Sequence, residues 1–140
     1  MTPEEERDHL RRGAAGSEPP AAVDVLESET SDPERTLGRV REVMEVILDH
    51  SDGSWPEVDE WLRLLPAWFV ERCVDDRELR DCVLDRWSVR GWTYWFQPEH
   101  RRWRWWDSHV EGNGVRLEVL ALQGGYLHGA LDWLFKIAGE

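Results

Sequence analysis

The chain of 140 residues is 41% hydrophobic and 11% aromatic, which is enough for one domain with its own core and too little for two. Its 29 acidic residues outnumber 17 lysines and arginines, and the net charge of -12 disfavours nucleic acid and anionic membranes as partners, because like charges repel. A basic protein is the partner that this charge favours.

Residues 1–32 are predicted to form a disordered acidic arm ahead of a single domain over residues 33–140. The arm contains nine acidic and three basic residues and no aromatic residue, so it has too little apolar surface to offset the entropy lost on ordering. It lacks the basic and apolar regions of a secretion signal, and no later apolar run could span a bilayer, so we expect a cytoplasmic protein without membrane contact. A solubilising tail and a docking arm for a partner are both open as its role.

Helical spacing of apolar residues marks the first half of the domain. Asp32-Pro33 has the N-cap and first-turn proline of a helix start, and Pro66 breaks the pattern because proline lacks an amide hydrogen and clashes with the preceding turn. The predicted helices cover residues 33–50, 54–65, 65–73 and 75–91. Cys73 and Cys82 fit neither a zinc knuckle nor a disulfide framework, so both are expected to be buried free thiols.

From Gly91 the apolar period changes from 3.6 to 2, which is typical of strands. Asn113-Gly114 between two alternating runs predicts a β-hairpin turn. The predicted strands cover residues 92–97, 103–110 and 115–122, and a largely apolar helix is predicted over 126–138. The expected fold is therefore α+β, with three or four N-terminal helices, a three-stranded antiparallel meander and a C-terminal helix packed on the sheet.

The stretch 92–107 contains five of the ten tryptophans. Because strand alternation would place tryptophan on both faces of the sheet while helices cover one face, some of these rings are expected to be exposed. Exposed tryptophan and arginine are enriched in protein interfaces, whereas base stacking on such rings is disfavoured by the overall charge. A purely structural role for the rings is the open alternative. The residues predicted to bind a partner are Trp95, Arg102, Trp103, Arg104, Trp105 and Trp106.

The best chemical constellation is Asp107 with His109, which lie on one face of a strand, and Glu118, which can lie nearby on the paired strand. A carboxylate beside an imidazole fixes its tautomer and makes it more basic, which is useful for a general base. An enzyme or small-ligand binder with a tryptophan-walled pocket is therefore the alternative function. The purely structural interpretation is that these residues form a polar strand edge beside the turn. No nucleotide or catalytic signature is present, and no cofactor or metal is predicted, although an added His100 or His128 would allow a metal site.

Three segments, LPAWFVERC, WTYWFQPEHRRWRWWD and HGALDWLFKIAG, resemble a group of small, acidic, tryptophan-rich proteins of high-GC bacteria, over about residues 60–140. The general profile is similar to the immunity proteins of bacterial toxin systems, which are small, acidic and without a catalytic motif. The resemblance implies no site residues. We expect a non-enzymatic binding module, with an inhibitor or immunity-type factor as one form, that engages a basic protein; a homodimer through the aromatic face is a further expectation.

Overall fold

The computed structural model describes residues 1–75, 87–122 and 129–140, and within these ranges helices are combined with one antiparallel sheet, which confirms the α+β class. The helices are α1 (Pro3–Arg12), α2 (Pro33–Asp49), α3 (Val58–Leu64), α4 (Ala67–Arg72), α5 (Val89–Phe96) and α6 (Gly129–Ala138). The strands are β1 (Val23–Glu29), β2 (Trp103–Glu111) and β3 (Gly114–Ala121). None of the described helices is long and apolar enough to cross a lipid bilayer.

The sheet has the order β1-β3-β2, so β3 lies in its centre. The hairpin between β2 and β3 is confirmed, but its turn is one residue earlier than predicted. Glu111 pairs with Gly114, so the two turn residues are Gly112 and Asn113 and not Asn113-Gly114. Gly112 adopts a φ of 58°, which a residue without a Cβ takes up readily. The third strand is β1, whose residue Val23 pairs with Leu120. The predicted meander order is therefore wrong, because the chain's N-terminal region supplies the strand that residues 92–97 were expected to form.

The segment 1–32 contains α1 and β1, so the prediction of a disordered arm is wrong for these elements. Thr2 caps α1 by accepting a hydrogen bond from the Glu5 amide, and Leu10 is fully buried in the core. β1 gains backbone hydrogen bonds to β3 along its whole length. Composition alone underestimates the tendency of such a segment to fold. Its few apolar side chains are buried, and its backbone forms hydrogen bonds with a strand that is distant in the sequence.

Residues 92–96 belong to α5 and not to a strand. The Ser88 hydroxyl accepts from the Gly91 amide and caps the helix, so Gly91 lies inside a helix, although it was predicted to end one and to precede a strand. Trp92 and Phe96, one helical turn apart, are buried and stack with ring centroids 3.9 Å apart. Aromatic residues at every second position fit the pattern of a strand, but Trp92 and Phe96, four positions apart, also fit the spacing of a helix face.

The local helix signals elsewhere were informative. α2 begins after Asp32, whose carboxylate accepts from the Arg35 amide, and Pro66 separates α3 from α4. α3 begins only at Val58, later than the predicted Ser54 cap, since a residue that precedes proline, here Trp55, disfavours helical dihedrals. Residues 76–86 and 123–128, which include most of one predicted helix, Cys82 and His128, lie outside the described residues.

The core lies between the inner face of the sheet and α2. α2 contacts β2 and β3, whereas α6 packs mainly on α2 and α4, so the helix that covers the sheet is α2 and not the C-terminal one. The largest fully buried rings are Trp61, Phe69, Trp92, Phe96 and Trp105. Before β2 the described chain has five helices, more than the three or four expected, because α1 and α5 were not predicted.

Candidate functional site

Helix α1 lies along the free edge of β2, where strand pairing would otherwise leave backbone groups unpaired. The Glu6 carboxylate accepts the Trp105 amide hydrogen at 2.8 Å. His9 donates from Nδ1 to the Trp106 carbonyl at 3.0 Å, and its ring stacks on the Trp106 indole with centroids 4.3 Å apart. Side chains of α1 thus take the place of a further strand at this edge.

A buried ion pair anchors the same contact. Glu6 and Arg101 form a bidentate pair whose side chains are only 1% and 2% exposed. Arg101 also donates to the Trp103 carbonyl at 3.2 Å. Arg104 donates to that carbonyl at 2.9 Å, and burial together with the neighbouring Arg101 charge lowers the pKa of its guanidinium. Both arginines therefore stabilise the start of β2.

A β-bulge at Trp106 changes the phase of the strand. Trp105 pairs with Val119 and Asp107 with Glu118, so Trp106 is the extra residue. In unbroken alternation with Trp105 inward, Asp107 would also point inward; the bulge turns it to the outer face. The bulged residues are the ones that α1 holds, so the N-terminal helix fixes the orientation of everything that follows on β2.

The bulge brings together the three residues of the predicted constellation, which we call the outer-face cluster: Asp107, His109 and Glu118. One potential ligand atom from each lies within 4.8 Å of the others. His109 Nε2 is 3.3 Å from Asp107 Oδ2, and Glu118 lies directly opposite Asp107 on β3. Arg116 approaches Glu118 at 3.7 Å and Glu27 at 3.5 Å. The predicted proximity is confirmed.

Asp107 is oriented by its surroundings. Its Oδ1 accepts from the Ser108 amide at 2.9 Å, which leaves Oδ2 facing His109. Gly13 packs against the same carboxylate, and a Cβ at that position would lie 2.6 Å from Oδ1. The residue that ends α1 therefore also contacts the outer-face cluster.

Replacing Gly13 by alanine is expected to lower the free energy of unfolding by about 1–3 kcal/mol, because its φ of 78° strains a residue with a Cβ and the methyl group would push Asp107 away. Gly16→Ala is the matched control: it shares a φ of 79°, but nothing lies within 4 Å of its Cβ position. Urea denaturation of both variants measures the difference. Equal losses would show that contact with Asp107 contributes nothing.

A second feature is an aromatic cleft of about 300 Å³ between α5, the segment that follows it and the start of α6. Trp95 on its wall is 40% exposed. His100 stacks on Tyr94 at 4.3 Å between centroids and donates from Nδ1 to the Tyr94 carbonyl at 2.9 Å. The lining residues are Trp87, Trp95, Phe96, His100, Arg101, Arg102, Trp103, Gly129, Ala130 and Leu131.

The six predicted binding residues divide between surface and core. Trp95 and Arg102 are exposed and line the cleft. The indoles of Trp103, Trp105 and Trp106 are buried, and Arg104 is half-buried. The expected exposure of the β2 tryptophans is therefore wrong: Trp103 and Trp105 face the core, and α1 together with Ala14 covers Trp106.

Sequence reasoning missed Glu6, His9 and Gly13, which hold the site from the N-terminal segment, and Trp87, which lines the cleft. No local pattern indicates the first three, because their partners are distant in the sequence, 97 positions away for His9 and 99 for Glu6. Cys73 was expected to be a buried free thiol; it is free and half-buried, and burial raises its pKa to about 12. Its thiol is thus protonated at neutral pH and a poor nucleophile.

The fold and these two features define a small α+β protein with a polar, potentially metal-ligating cluster on the outer sheet face and an aromatic cleft elsewhere. No protein-family model, curated protein or solved structure matches the chain. Function is therefore inferred from the geometry of the two sites.

Proposed function

We propose that this chain is a non-enzymatic protein-binding module whose aromatic cleft receives an apolar side chain of a basic partner protein. The observation that carries the proposal is the exposure of Trp95 beside an apolar cavity of about 300 Å³. Exposed tryptophan at a pocket is a typical anchor of an interface, because packing a partner side chain against its ring removes a large area from water. The cavity is at the lower limit of about 300–1,000 Å³ for ligand pockets, which suits a single side chain.

Charge supports the choice of a basic partner. The chain carries a net charge of -12, and acidic residues such as Asp59 and Glu60 on α3 are exposed, so a basic protein is attracted at long range and associates faster. At the rim of the cleft, Arg102 is exposed and can donate to a carbonyl or carboxylate of the inserted segment. An inhibitor or immunity-type factor acts in this way, by occupying a partner's surface without catalysis.

The alternative of an enzyme with a tryptophan-walled pocket at Asp107, His109 and Glu118 is less well supported. The tryptophan-lined cavity is the aromatic cleft, and none of the three residues lines it. The outer-face cluster lies instead on the sheet face opposite α2. The tryptophan-walled pocket and the polar constellation, which the hypothesis placed together, therefore lie in separate parts of the molecule.

Selection of random peptides displayed on phage, with the full chain as bait, tests the proposal. We expect enrichment of peptides that combine one large apolar residue with lysine or arginine. Trp95→Ala should weaken binding of the selected synthetic peptides by at least about tenfold, the loss typical of an interface anchor. Leu62→Ala, which truncates an equally exposed apolar side chain on α3, should leave the affinity unchanged.

Peptides that bind wild type and Trp95→Ala equally, or a selection without basic apolar peptides, would contradict the proposal. A homodimer is the competing use of the cleft. It would appear in sedimentation as a mass that rises with protein concentration for wild type and stays monomeric for Trp95→Ala.

A further inference from the structure

We infer that Asp107, His109 and Glu118 form a binding site for one divalent transition-metal ion, with Zn²⁺ as the best fit. This site is independent of the aromatic cleft and of partner binding. The inference depends on three properties of the outer-face cluster: the spacing of its donor atoms, the balance of its charges and the chemistry of its ligands.

The spacing of the donors is that of a nearly assembled metal site. Zinc bonds of about 2.0–2.2 Å at tetrahedral angles separate ligand atoms by about 3.3–3.6 Å. His109 Nε2 and Asp107 Oδ2 are 3.3 Å apart, and all three ligand atoms lie within 4.8 Å. The Glu118 side chain can rotate about three torsions, so a change of rotamer that moves its carboxylate by about an ångström would close the site.

The charges of the cluster favour a dication. Asp107 and Glu118 are directly opposite on neighbouring strands, a placement in which like charges repel. Arg116, 3.7 Å from Glu118, also approaches the Glu27 carboxylate at 3.5 Å, so it offsets their charge only in part. Two carboxylates with a neutral imidazole carry a charge of about -2, which a divalent ion neutralises.

The donor types select the metal. Ca²⁺ and Mg²⁺ prefer sites made entirely of oxygen ligands, whereas imidazole nitrogen with carboxylate oxygen suits Zn²⁺ and its neighbours in the first transition row. Three protein ligands leave a coordination position open for water or another ligand, as in zinc sites that act on a substrate.

The surroundings hold the first ligand in place. Asp107 Oδ1 accepts from the Ser108 amide and packs against Gly13, which directs Oδ2 towards His109. The bulge at Trp106 that places Asp107 on the outer face is fixed by His9 and Glu6. Groups that hold a metal ligand in its binding orientation raise the affinity of the site, because less conformational entropy is lost when the ion binds.

Calorimetric titration of the metal-free full chain with Zn²⁺, and with Co²⁺ monitored by its visible absorption, tests the inference. We expect one ion per chain with a Kd in the micromolar range or below, and no displacement by millimolar Mg²⁺. His109→Ala and Glu118→Gln should each weaken binding at least about tenfold. His100→Ala, which removes an imidazole outside the cluster, should bind Zn²⁺ as wild type does.

Thermal unfolding with and without Zn²⁺ separates loss of the site from loss of the fold. Saturating Zn²⁺ should raise the Tm of wild type and of His100→Ala, but not of His109→Ala or Glu118→Gln, whose metal-free Tm should stay close to that of wild type. The inference is overturned by absent or non-saturable binding, by a Zn²⁺ affinity that His109→Ala leaves unchanged, or by tighter binding of Mg²⁺ than of Zn²⁺.

Discussion

Replacing Glu6 by alanine is expected to lower the free energy of unfolding by about 3–5 kcal/mol, because it leaves the buried Arg101 guanidinium without its counter-charge. The two side chains are almost fully buried, so water cannot solvate the remaining charge. The Trp105 amide loses its acceptor in the same variant. Urea denaturation monitored by far-ultraviolet circular dichroism measures the loss.

The neighbouring Glu5→Ala is the matched control, since this glutamate is exposed on the same helix, and its effect should stay within about 0.5 kcal/mol. A double variant, Glu6→Ala with Arg101→Met, should regain stability relative to Glu6→Ala, because it removes the unpaired charge. If Glu6→Ala and Glu5→Ala were equally stable, α1 would not be docked on β2 and the arm would be disordered after all.

Truncating Trp105 to alanine is expected to cost about 3–5 kcal/mol, the range for a large aromatic ring removed from a core. Its indole is 0% exposed and contributes to the cluster that α2 covers. Trp95→Ala, by contrast, should change stability by no more than about 1 kcal/mol, because 40% of this residue's surface remains exposed and it lies outside the core.

Parallel urea titrations of the two variants test this separation, with circular dichroism as the probe because each variant loses a fluorophore. Peptide affinity should show the opposite order. At temperatures where both variants are folded, Trp95→Ala should weaken peptide binding more than Trp105→Ala does. A Trp105→Ala variant as stable as wild type would show that the ring is not part of the core.

Signals confined to a few residues predicted the elements that they define. The Asp32 cap, the Pro66 break and the hairpin between β2 and β3, whose turn lies one residue earlier than predicted, all depend on local dihedral preferences and hydrogen bonds. The outer-face cluster could be predicted for the same reason. Asp107 and His109 share a face because they are two apart on a strand, and a hairpin register brings β3 beside them.

Features that depend on distant partners could not be predicted in this way. Whether Trp92 lies in a helix or a strand is decided by packing, since both periods fit. The bulge at Trp106 is stabilised by His9. Residues 1–32 contain ordered elements because β1 pairs with β3 and α1 packs on β2. Which tryptophans are exposed follows from these long-range contacts, so the predicted anchors on β2 proved to be core.

The N-terminal segment protects both sides of one hairpin: β1 pairs with β3, and α1 covers the free edge of β2. Partners such as Glu6 and Arg101 are 95 positions apart in the chain, and closing such long loops slows folding. If the tryptophan-rich hairpin forms before the first residues return to it, it has two unpaired edges during that time. In that interval another copy of the hairpin can compete for the same edges. By returning, the acidic N-terminal segment both completes the sheet and removes the template for aggregation.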